Sequence, residues 1–84
     1  MTVEKSADYF LDITALVCPM TFVRTKLAVE KLTGGQMLEV RLNAGEPLRN
    51  VPRTLAEHGH AVLSLEPEDA QVPEGVHRLR VMKR

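Results

Sequence analysis

Along four short stretches of the chain apolar residues alternate with polar ones, and along two others they recur every third or fourth position. These are the periods of a strand with one wet face and of an amphipathic helix. Tyr9, Leu11 and Ile13 share one side of a first strand, with Phe10 and Asp12 on the other. From Pro19 the period changes. Phe22, Thr25, Ala28, Val29 and Leu32 fall on one side of a helical wheel, and Gly34 and Gly35 supply the stop, giving a helix of about four turns. Leu38, Val40 and Leu42 alternate with Glu39 and Arg41 in a second strand, and residues 43–46 form a turn. Leu48, Val51 and Leu55 return to helical spacing up to His58 and Gly59, with Pro52 expected to kink or shorten the first turn. Ala61, Leu63 and Leu65 alternate with Val62, Ser64 and Glu66 in a third strand, and an acidic loop follows over residues 67–75. Val76 to Met82 forms the fourth, Leu79 and Val81 lying opposite Arg78 and Arg80.

The order βαβαββ predicts an α+β fold: a two-layer α/β sandwich, with a four-stranded mixed sheet and two helices on one face. Parallel strands joined through a helix turn right-handed almost always, so both helices fall on the same side. The other sheet face is left wet, carrying Glu39, Arg41, Ser64, Glu66, Arg78 and Arg80. A chain of 84 residues builds one small core. Residues 1–8 are expected as a flexible arm and residues 9–84 as the domain.

Composition then narrows the function. Eleven basic residues balance eleven acidic ones, so no overall field draws the protein to nucleic acid or an anionic membrane. The first ten residues mix charges without an apolar run, no stretch approaches a membrane span, and a single cysteine allows no internal disulfide. A cytoplasmic location is the expectation.

The chemistry concentrates at Cys18. Pro19 suits the first helical position, because its missing N–H is one the helix would not use. Cys18 is then the N-cap, facing backbone N–H groups and the positive end of the helix dipole, which favour a thiolate and equally a persulfide anion. Pro19, Met20 and Thr21 are the helix-start residues that support it. A lone cysteine also serves as a small buried hydrophobe, but a strand-to-helix junction at the rim of a core is where sites form.

Leu11 and Asp12 in the first strand, Cys18 and Pro19 at the helix start, Lys26 within that helix, and Gly59 and His60 before the third strand are spaced as in the TusA (SirA-like) family of sulfur carrier proteins, which the chain resembles from about Leu11 to its end. The resemblance implies the same two-layer fold. It also implies that Cys18, in the place of the cysteine of the family's CPxP motif, carries sulfane sulfur as a persulfide. The implied partners are a protein donor, a cysteine desulfurase or rhodanese-like protein, and a protein acceptor, serving tRNA thiolation, cofactor synthesis or sulfur oxidation. The chain departs from the family pattern at Thr21, where the second proline stands, at Ala15 in place of a glycine, and at Asn43 and Ala44 in place of an acidic pair.

Lys26 is either the solvated end of an exposed face or electrostatic help for an anionic sulfur or an acidic partner. Arg24 is read as solvated. Met20, Val23 and Leu27 recur on the helix side away from the core, and are either an ordinary scatter of surface apolar residues or a docking surface beside Cys18. His58, His60 and His77 do not fall at the paired spacing of a zinc site, so neither metal nor cofactor is expected. With no Ser/His/Asp set or phosphate loop, a carrier is expected rather than a turnover enzyme. A non-catalytic interaction or regulatory module of the same fold is the alternative. An RNA-binding domain is less supported, because the basic tail lacks stacking aromatics.

Overall fold

The strand order follows from where the chain can bury its alternating residues. In the computed structural model, which describes residues 7–17 and 19–84, β1 (Tyr9–Asp12), α1 (Met20–Glu30), β2 (Met37–Leu42), α2 (Glu46–Glu57), β3 (Ala61–Pro67) and β4 (His77–Met82) succeed one another. They build one four-stranded sheet ordered β1-β2-β4-β3. β1 pairs parallel to β2, as its helical crossover requires, and β4 lies antiparallel to both β2 and β3. Leu38, Val40 and Leu42 of β2 meet Val81, Leu79 and His77 of β4 directly across the ladder, all buried. Val29 of α1, Leu32 just beyond it, and Val51 and Leu55 of α2 close over them in a single core. Both helices therefore cover one face, as the alternation predicts. Each fully buried aliphatic side chain contributes about 1.5–3 kcal/mol to that layer.

α1 is shorter than its apolar period suggests: 11 residues, about three turns. Its buried stripe is Thr21, Thr25 and Val29, at four-residue intervals, with Thr25 Oγ1 donating to the Thr21 carbonyl at 2.8 Å. α2 runs 12 residues through Pro52, which does not shorten it. Its end is fixed by Gly59 at φ 88°, a left-handed conformation that favours glycine. The His60 N–H donates to Leu55 O and the Gly59 N–H to Ala56 O, the paired bonds of a Schellman cap. The two residues before β3 that carry the family resemblance are thus the stop signal of α2.

β3 departs from expectation. A bulge between Val62 and Ser64 shifts its register, so Ala61 faces Met82 while Val62 faces Val81 and Leu65 faces Leu79. Val62 is thereby turned to the helix side and Ala61 to the open side, the reverse of the expected alternation. One extra residue in an edge strand reverses the facing of what precedes it. Val62, Leu63 and Leu65 all remain exposed at this edge.

The open face carries the charges expected of it, joined into a lattice. Arg78 and Arg80 both donate to Glu39, at 2.8 and 3.0 Å. Arg41 and Arg78 both reach Glu68, at 2.9 and 2.8 Å, and Arg41 also reaches Asp12 at 3.2 Å. Glu68 lies in the loop after β3, and only the placement of β4 between β2 and β3 brings it over the sheet. No helix is long and apolar enough to cross a membrane among the described residues.

Candidate functional site

The junction between β1 and α1 is held by its own polar groups. Asp12 Oδ1 accepts the Thr14 N–H at 2.9 Å and the Thr14 hydroxyl at 2.7 Å, closing a tight turn at the strand end. These Thr14 bonds, with a smaller contribution from Arg41, hold the Asp12 carboxyl below its ordinary pKa. Asn43 Nδ2 donates to Thr14 O at 2.7 Å, tying the turn after β2 to the same loop. The buried Ile13 anchors it from beneath, its N–H donating to Arg41 O at 2.9 Å. The segment then rises to the surface. Val17 is 76% exposed, and Pro19 is exposed as well. Cys18, expected between them as the reactive centre and N-cap, lies outside the described residues, as do residues 1–6 of the expected N-terminal arm.

The helix begins one residue later than the sequence suggests. Met20 is the first helical residue and Pro19 the cap position, at φ −89° and ψ 2°. The cause is a preceding turn in which the Met20 N–H donates to Val17 O at 2.8 Å, so regular i to i−4 bonding starts with Val23 N–H to Pro19 O at 3.1 Å. Thr21 becomes the second helical residue instead of the third. Its side chain is only 1% exposed, and its Oγ1 has no hydrogen-bond partner among the described residues. A buried hydroxyl beside the start of a helix is a feature of this site that residue pattern alone did not suggest.

The other candidate residues divide between two sides of α1. Met20, Val23 and Leu27 are exposed, as expected of a second apolar stripe. Lys26 instead lines a small cleft of about 110 Å³ with Phe22, Leu55, His58 and His60. There the Phe22 and His58 rings lie with centroids 6.2 Å apart. His60 is held below its ordinary pKa by partial burial and then by the nearby positive charge of Lys83 and His58. His77 is buried on β4, its ring Nδ1 2.9 Å from Gly75 O. Among the described residues no group of three histidine, aspartate or glutamate side chains gathers as a metal ion would require.

Comparison with known proteins gives a consistent picture. The family model described as sulfurtransferase TusA matches residues 9–83. A candidate sulfur carrier protein of Archaeoglobus fulgidus is 43% identical over 63 residues, covering 75% of this chain and 72% of its own. The candidate sulfur carrier protein YedF of Escherichia coli K12 is 34% identical over 59 residues, covering 70% and 77%. Among solved structures, a SirA-like protein of Desulfitobacterium hafniense superposes with a TM-score of 0.71 at 21% identity, covering 88% of this chain and 95% of that one. At that identity the superposition speaks for the fold, including its mixed sheet and paired helices.

Proposed function

The chain belongs to the TusA family, and from that membership we propose that it is a sulfur carrier whose Cys18 accepts sulfane sulfur from a protein donor and hands it to a protein acceptor. The observation that carries the proposal is the family match over residues 9–83 with a Cys-Pro pair at the β1–α1 junction, where both neighbours of the cysteine are exposed. In the loading step the Cys18 thiolate attacks the terminal sulfur of a donor persulfide. A new S–S bond forms, the donor's S–S bond breaks, and the donor cysteine leaves as its thiolate, with no net oxidation. Unloading repeats the exchange, the acceptor's nucleophile taking the terminal sulfur and Cys18 leaving as thiolate.

The surroundings suit this cycle. α1 begins two positions after Cys18 in the sequence, and the positive end of an 11-residue helix favours an anionic sulfur brought close to it. Met20 and Val23 give a donor or acceptor an exposed apolar footing, and Lys26 adds a cation for an acidic partner. The arginines of the open sheet face are engaged with carboxylates, so among the described residues that face offers no run of unpaired cations for RNA.

Intact mass after incubation with a cysteine desulfurase and cysteine tests the proposal. A gain of one sulfur, about 32 Da, is expected in the native chain and not in Cys18→Ser, which keeps a capping hydroxyl but lacks a nucleophile of low pKa. Sulfur gained by the serine variant, or none gained by the native chain, contradicts it.

A further inference from the structure

On the side of α1 away from Lys26, the helix and β1 leave an apolar groove of about 340 Å³. The buried Leu32 and Leu38 form its floor, and the exposed Tyr9 and Leu27 its walls. Arg24 and Lys31 lie at its margins. Seven positions apart on or next to one helix, the two cations stand about 10 Å from each other along its axis. Neither has a carboxylate in ion-pair range among the described residues, whereas the arginines of β2 and β4 are all paired. β1 is also an edge strand, bonded to β2 alone among the described residues. The Ile13 N–H donates to Arg41 O at 2.9 Å, so along this parallel ladder Leu11 and Tyr9 face β2 as Ile13 does, and the alternate residues Phe10 and Asp12 turn their backbone groups outward.

We infer that this edge and groove receive an extended segment of a protein partner, added as a strand beside β1, with an apolar side chain seated in the groove and carboxylates on either side of it meeting Arg24 and Lys31. An open edge supplies backbone affinity and an adjoining pocket supplies side-chain selection, the two elements of strand addition. On an added strand, residues two before and two after the groove-filling side chain point to the same face and stand about 13 Å apart. That separation is within reach of the long arginine and lysine side chains. A second copy of this chain paired edge to edge across a two-fold axis sets Arg24 and Lys31 against their own kind, and like charges so placed repel. An acidic partner is therefore the occupant the charges select. The inference is independent of sulfur chemistry at Cys18.

The test uses the whole chain and a fluorescein-labelled heptapeptide, Thr-Glu-Thr-Leu-Thr-Glu-Thr, read by fluorescence anisotropy and by backbone amide shifts. Binding is expected to move the amides of Tyr9–Asp12 and of the Leu27 turn. It is expected to weaken at least about tenfold in Arg24→Glu/Lys31→Glu, to weaken with added salt, and to vanish for the peptide with lysine in place of glutamate. Equal binding of the lysine peptide, unchanged affinity in the double variant, undisturbed β1 amides or no binding at all overturns the inference. So does concentration-dependent self-association that buries the same amides, which would make a second copy the occupant.

Discussion

Thr21 shows how far a single side chain can stray from what its position suggests. The residue pattern places it beside Cys18 as a donor, yet its hydroxyl is buried without a partner among the described residues. A buried polar atom left unbonded costs about 1–3 kcal/mol. Thr21→Val, which keeps the shape and removes that atom, should raise stability by about 1 kcal/mol in urea unfolding. A loss of similar size would mean that the hydroxyl is bonded in solution and supports the Cys18 segment. Gly59 makes the complementary case, since a Cβ there meets nothing within 4 Å and only its φ of 88° demands glycine. Gly59→Ala should therefore cost about 1–2 kcal/mol through the backbone alone, read as a lower urea midpoint with an unchanged slope. Here sequence and structure agree fully, because a glycine ending an apolar helical period is a local signal and the Schellman cap is a local structure.

At the level of elements, β2 was legible because its alternation is buried on one side only, and no other register keeps Leu38, Val40 and Leu42 dry. β3 was not, because alternation read along a strand cannot reveal an inserted residue, and the bulge near Leu63 exists only relative to β4. The start of α1 was misplaced by one residue for a similar reason: the Met20-to-Val17 turn is settled by backbone bonding that proline's preferences do not dictate. The apolar stripe of α1 at Met20, Val23 and Leu27 is exposed where the helical period puts it. Val23→Asp should leave stability within about 0.5 kcal/mol while slowing sulfur loading, so a large drop in melting temperature would instead place Val23 in the core. The lattice on the open face also acts through several elements at once. Hydrogen bonds from Arg41 and then Arg78 hold the Glu68 carboxyl down to about 2 from its ordinary 4.5. A carboxyl depressed by folding stabilises fully above its unfolded pKa, and that stability is lost as pH falls through the folded value. The lattice should thus weaken from about pH 4.5 down to about pH 2, and modestly, since these groups are exposed. Urea midpoints at about pH 6 and about pH 3 should differ less in Glu68→Gln than in the native chain, and equal differences would remove Glu68 from the acid response.

On the scale of the whole molecule, the βαβαββ order and the shared helix face could be read in advance because each element offers a single apolar surface and one core satisfies them all. Long-range pairings could not. Glu68 meets Arg41 across 27 positions of sequence, and the groove between β1 and α1 joins Tyr9 to Lys31, contacts that depend on the order β1-β2-β4-β3. The candidate site was legible as a motif, a cysteine followed by proline where a strand gives way to a helix, while its polar support through Asp12, Thr14 and Asn43 emerged only when the turns after β1 and β2 came together. The central claim is that sulfur is carried as well as accepted, and a relay measures both steps. The chain is loaded from a desulfurase with radiolabelled cysteine, separated from the donor, and mixed with an acceptor thiol protein. The account predicts about one label per chain at Cys18, its quantitative transfer to the acceptor, and no label in Cys18→Ser. Label that stays on the chain, or that reaches the acceptor equally well through the serine variant, would contradict it.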